Sequence, residues 1–93
     1  MIYQTKSDPK FLKKYIKLVK KDKSLEKRIN KTILKLKHNP KHPGLRSHQI
    51  NDPDFGKVYS SWVHGDLRIF WKYGKDGQLI ILLLDIGNHN QVY

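Results

Sequence analysis

The stretch "HGDLRIFWKYGKDGQLIILLLDI", residues 64–86, decides how this chain folds. Gly65-Asp66 is a two-residue hairpin signal, because glycine reaches backbone angles that other residues avoid. After it, "LRIFWKY" (67–73) reads as a strand. Arg68, Phe70 and Lys72 fall on one face of it, and Leu67, Ile69, Trp71 and Tyr73 on the other. "GKDGQ" makes a second turn. "LIILLLDI" (79–86) is then a continuous apolar run, the pattern of an interior strand covered on both faces.

Upstream, "KVYSSWVH" (57–64) is β-branched and aromatic, and supplies the first arm of the hairpin. Residues 44–56, "GLRSHQINDPDFG", read as a loop with a short strand around residues 45–50. Further back the period changes. Ser7 or Asp8 can cap a helix with Pro9 in its first turn. Phe11, Leu12, Tyr15, Ile16 and Val19 recur at helical spacing among lysines. Asp22 or Ser24 restarts a second helix with the stripe Leu25, Ile29, Ile33 and Leu36, and Thr32 beside it. "HNPKHPG" ends that helix. "MIYQT" reads as a first strand. The expected order is β-α-α-β-β-β, an α+β fold in which two N-terminal helices pack on a small twisted antiparallel sheet.

Ninety-three residues suit a single domain spanning 1–93. There is no cysteine, which removes disulfides, thiolate metal sites and thiol nucleophiles, and fits a cytoplasmic location. No apolar run approaches the roughly 18 residues of a membrane span, and the start lacks a signal-peptide layout. The net charge is +11. Residues 6–37 hold thirteen Lys or Arg against three acids, so nearly all the excess lies in the helical half. A basic face this dense attracts polyanions by counterion release. Lys13, Lys14, Lys17, Lys20, Lys21 and Lys57 are the candidate RNA-binding residues. A solvated lysine face is the competing reading.

The second half carries the titratable groups: His38, His42, His48, His64, His89, Asp66, Asp85, Arg68 and Tyr93. Metal-free RNA cleavage needs a base for the 2′-hydroxyl, a cation for the phosphate and an acid for the leaving oxygen. Histidines and an arginine are the right types. Each also has a plainer reading. Arg68 would form a surface salt bridge with Asp66 or Asp85. His64 and Asp66 would be turn residues, and His48 and His89 solvated loop residues. His38 and His42 invite a metal by spacing, but Pro40 breaks the helix that would align them.

Taken together, "HGDLRIFWKY", the apolar strand and "DIGNHNQVY" resemble the C-terminal half of the RelE/ParE toxin superfamily. The likeness is nearest to RelE-like ribosome-dependent mRNA interferases, including the YafQ-type branch. Those toxins share a strand reading roughly G-D-aromatic-R-aliphatic-aliphatic-aromatic, and end on glycine, a basic residue two positions on and a closing aromatic. The resemblance implies a type II toxin that cuts mRNA in the ribosomal A site without a metal or cofactor. It places Arg68 on the phosphate, makes His89 the general acid or a sharer of the base role, and sets Tyr93 against the message. Asp66 would orient a histidine or the nucleotide, and His48 and His64 complete the set, with His64 the looser match. Lys57 is a further candidate base. The implied partners are a cognate antitoxin, mRNA and ribosomal RNA, with no membrane. The alternative on the same fold is a ParE-like gyrase-inhibiting toxin without nuclease activity.

Overall fold

The computed structural model describes residues 2–75 and 78–88. Strand β1 (Gln4–Ser7) leads into helices α1 (Pro9–Lys21) and α2 (Ser24–His38). A 3-10 turn, Pro43–Leu45, precedes β2 (His48–Asp52), β3 (Gly56–His64), β4 (Leu67–Tyr73) and β5 (Ile80–Asn88). The five strands lie in the order β1-β5-β4-β3-β2.

Local chemistry starts both helices. The Asp8 carboxylate accepts from the Lys10 amide at 2.9 Å, and Pro9 occupies the first turn. Asp22 does the same for α2 one residue early, accepting from the Ser24 amide at 2.9 Å and the Ser24 hydroxyl at 2.6 Å. Those bonds hold the Asp22 carboxyl below its ordinary range. Asn39 stops α2, and the Tyr3 amide donates to the Lys37 carbonyl at 2.8 Å, tying the start of the chain to that helix end.

Three features depart from the expected layout. The loop segment carries a full edge strand, β2, which pairs antiparallel with β3 from His48–Ser60 to Asp52–Gly56. β1 pairs parallel to β5, from Gln4–Ile80 to Ser7–Leu83, so the sheet is mixed. Gly87 and Asn88 prolong β5 beyond the apolar run 79–86, Gly87 opposite Arg68 and Asn88 opposite Leu67.

The helices cover one face of the sheet. Phe11, Ile29 and Leu36 meet Ile69, Trp71, Ile81, Leu83 and Ile86 there, all buried. The α2 stripe is as expected, whereas the α1 stripe is rotated. Phe11, Tyr15, Leu18 and Val19 pack inward, while Leu12 and Ile16 are 46% and 51% exposed. α1 leans on β5, and that contact selects Leu18 rather than Leu12. The other face carries a smaller apolar cluster of Val58, Phe70 and Leu84, flanked by Ile50, Phe55 and Leu82.

The β4–β5 pairing slips between Phe70 and Trp71, leaving Leu84 without an opposite number. Next to this bulge lies Asp85, only 1% exposed. Lys14 Nζ approaches its carboxylate at 2.9 Å and Lys10 Nζ at 3.4 Å. Two ammonium groups therefore compensate a carboxylate that burial would otherwise make costly. Lys10 also bonds Asp54 at 2.8 Å. That bond lifts the Lys10 ammonium above its ordinary value against the opposing pull of burial, and lowers the Asp54 carboxyl.

Candidate functional site

The β3–β4 hairpin places Arg68. Gly65 takes a positive φ of 53° and Asp66 does not, the type II′ pattern. Arg68 then stands opposite Trp62 in the ladder, and Ser60 stands opposite both Phe70 and His48. Paired residues share a face, so His48, Ser60, Trp62, Arg68 and Phe70 all lie on the side of the sheet away from the helices.

The Arg68 guanidinium is held on that face. Its Nε donates to the Ser60 hydroxyl in a short hydrogen bond. Its Nη2 donates to the Ser60 carbonyl at 3.1 Å and to the Arg46 carbonyl at 3.0 Å. Arg46 adopts the left-handed conformation, φ 48° and ψ 43°, directly after the 3-10 turn. Its own guanidinium lies 5.1 Å from the Trp62 ring centroid, a cation–π arrangement. The Trp62 Nε1 in turn donates to the Gly65 carbonyl at 3.0 Å. Two arginines, one tryptophan and the hairpin turn are thus interlocked. Ser60, Arg46 and Trp62 escape a reading of motifs, because their link to Arg68 exists only across the sheet. Two arginines and an exposed histidine on one small face can bind a phosphodiester and move a proton near it.

The other candidate residues divide. His48 is exposed on β2, one ladder pair from Arg68 through Ser60. His64 is not brought to that face. The pairing slips between Trp62 and His64, which sets His64 opposite Leu67, a residue of the helix-side core. His64 is near enough to Asp22, at the turn between the helices, to help lower its carboxyl, after the larger effect of Ser24. Asp66 is exposed on the turn itself. Asp85 does not serve Arg68 as a salt-bridge partner in the way the plainer reading has it; Lys10 and Lys14 take its carboxylate. Lys57 stands at the far end of β3, opposite Asn51. His89 and Tyr93 lie outside the described residues.

Of the candidate RNA-binding lysines, Lys13, Lys17, Lys20 and Lys21 are exposed along α1, whereas Lys14 is tied to Asp85. Lys14, Lys17 and Lys21 border a hollow of about 420 Å³ that also reaches Leu67, Gly87 and Asn88. Among the described residues, no group of three or more His, Asp or Glu is placed to hold a metal ion, and no helix is long and apolar enough to cross a membrane.

This architecture has known counterparts. The chain has a RelE-like toxin fold. A copper-bound mutant toxin from Helicobacter pylori superposes with a TM-score of 0.72 over 100% of both chains, at 22% sequence identity. The solution structure of the conserved hypothetical protein HP0894 from Helicobacter pylori gives 0.65 over 97% of each chain, also at 22% identity. No family model and no curated protein matches the sequence.

Proposed function

We propose that this protein is the toxin of a type II toxin–antitoxin module, a ribosome-dependent endoribonuclease that cuts mRNA in the A site without a metal. The observation that carries the reading is Arg68: half-buried, fixed by Ser60 and Arg46, and sharing its sheet face with His48 and Trp62. The likeness in fold to a Helicobacter pylori toxin supports the same reading. So does the excess of lysine on the helices, which suits ribosomal RNA.

In this mechanism Arg68 offsets the charge that grows on the scissile phosphate as the 2′-oxygen attacks. The attack forms a 2′,3′-cyclic phosphate and breaks the bond to the 5′-oxygen. Among the described residues of that face His48 is a candidate to take the 2′-proton, and His89 is the candidate donor to the departing oxygen. The antitoxin, as partner, would neutralise the lysine-rich surface.

The test is to purify the protein with Arg68→Ala, His48→Ala and His89→Ala variants, and to map mRNA 5′ ends in a translating extract. Cutting by the parent that falls about a hundredfold or more in Arg68→Ala is the expected result. Equal cutting by all four proteins removes these residues from the chemistry. Gyrase-dependent DNA breaks without any mRNA cutting would replace the reading with the ParE-like one.

A further inference from the structure

A second site lies on the helix side of the sheet, between β3–β4 and the segment that joins α2 to β2. It is an open cleft of about 340 Å³ bordered by Lys41, His42, Arg46, Tyr59, Trp71 and Tyr73. That volume is at the low end for small-ligand pockets, enough for one flat ring system and its attachments.

One wall is aromatic and rigid. Tyr59 and Trp71 are cross-strand partners whose rings stack at 4.8 Å and 25°. Tyr73 meets both edge-on, at 5.8 Å and 5.1 Å. Trp71 is anchored from behind by its Nε1 bond to the Ser61 hydroxyl at 2.7 Å. Ser61 is itself 2.6 Å from the Ser47 hydroxyl. The Tyr59 hydroxyl accepts from Gln49 at 3.3 Å. Tyr73 keeps 37% of its surface exposed at the mouth. Its hydroxyl stays protonated, since burial, then Tyr3 and Tyr59, push its pKa up.

The opposite wall is cationic and equally set. His42 Nδ1 accepts from the Gly44 amide at 2.9 Å. The ring lies so close that a Cβ on Gly44 would come within 3.0 Å of it. An accepting Nδ1 puts the imidazole proton on Nε2, so that nitrogen is the donor left for a ligand. Lys41 completes the rim, Arg46 borders it with its guanidinium turned to Trp62, and among the described residues no acid borders the cleft. Aromatic wall, cationic rim and single-ring size are the features with which proteins hold unpaired nucleotides. An acidic peptide would use the cations and leave the ring wall idle.

We infer that this cleft binds one unpaired nucleotide of an RNA strand, with its base against Tyr73 and Tyr59 and its phosphate against Lys41 and His42. The choice of RNA rests on the proposed function. The nucleotide is a different one from that at Arg68, whose side chain lies on the other face of the sheet. Arg46 links the two sites, because its carbonyl holds Arg68 while its residue borders the cleft.

The experiment is fluorescence anisotropy of the full chain with a short labelled single-stranded RNA and with the matching RNA duplex, at one fixed salt concentration. Tyr73→Ala and the double variant Lys41→Ala/His42→Ala should each bind the single strand about tenfold more weakly, while Tyr73→Phe stays within about twofold because stacking survives. Duplex binding should not change with either aromatic variant. Thermal melts accompany each variant, and the rim variant, altered only at exposed positions, decides the matter if Tyr73→Ala unfolds. Unchanged single-strand affinity, or an equal loss on duplex, overturns the inference. So does displacement of the RNA by an acidic peptide at concentrations where a mononucleotide has no effect. A parent protein that binds in this Tyr73-dependent way yet never cuts mRNA removes the proposed reaction and leaves the cleft standing. A parent that cuts while Tyr73→Ala binds normally does the reverse.

Discussion

The two faces of the sheet are built on different principles. The helix side buries large side chains against one another: Trp71, Ile69, Ile81 and Leu83 meet Phe11, Ile29 and Leu36. Among the described residues, the far side has a smaller apolar cluster, Val58, Phe70 and Leu84. The rest of that face is given to polar groups that hold one another in place, Arg68 to Ser60 and Arg46, Arg46 over Trp62, Trp62 to Gly65. Packing is non-directional and tolerates small shifts, whereas a hydrogen-bonded arginine is fixed in angle as well as position. One face therefore carries most of the stability. The other can afford exposed, oriented groups.

That division can be broken by substitution. Trp71→Ala should cost about 3–5 kcal/mol in urea unfolding, since it removes the largest fully buried side chain and leaves the Ser61 hydroxyl with Ser47 as its remaining partner. Arg68→Ala should lower mRNA cutting about a hundredfold or more, while its melting temperature moves only a few degrees. If Arg68→Ala unfolds the protein, or Trp71→Ala stops cutting without loss of stability, the faces are not specialised.

A smaller effect comes from Asp85→Asn. It removes the acid that Lys10 and Lys14 share. Those lysines are more than a third exposed and can turn to water, so the loss should be about 1–2 kcal/mol, well below that for a fully buried pair. Acidification should give less still. Asp54 and Asp22 have lowered pKa values, so their contribution is present above the ordinary aspartate value, about 3.9, and is lost as pH falls through the lowered one. Lys10 is raised, so its contribution is present below the ordinary lysine value and is lost only at strongly alkaline pH. The urea midpoint should drop slightly between pH 7 and pH 3, and Asp54→Asn should flatten that drop. The smallest change belongs to Leu12→Gln and Ile16→Gln, each within about 0.5 kcal/mol by chemical denaturation. A large loss from either would contradict the observed rotation of α1.

How much of this could be read beforehand depended on where the information sits. β3, β4 and β5 announce themselves through alternation and apolar runs, and the Gly65-Asp66 turn through its glycine. β2 is legible only in part: a short strand is expected around residues 45–50, but "HQIND" has one apolar residue, Ile50, and an edge strand with little to bury carries no pattern to fix its bounds. The α1 stripe was legible only to within one turn of rotation. Leu12 and Ile16 fit the helical period as well as Leu18 does, and only the seat of α1 on β5 chooses between them. Arg68 could be singled out from its place after the hairpin, but not its anchors. His64 shows the limit most clearly. Strict alternation from Trp62 would put it on the Arg68 face, and a bulge, invisible in the letters, reverses it. Lys14 looks like any other lysine of α1 until Asp85 claims it.

The parallel pairing of β1 with β5 has a consequence for the order of events. Gln4 meets Ile80, so everything between them must be made before β1 has a strand to lie against. The helical hairpin and the β3–β4 hairpin are local and can form first. The stitch that joins the two ends is a long loop closure, slow by comparison and late. While the polypeptide is still being synthesised, Gln4–Ser7 is an unsatisfied edge beside a lysine-rich hairpin, and Gly87 has not yet arrived opposite Arg68. The sheet face that holds Arg68 is thus completed only after synthesis has passed β5, and a nascent chain carries its charge before it carries its site.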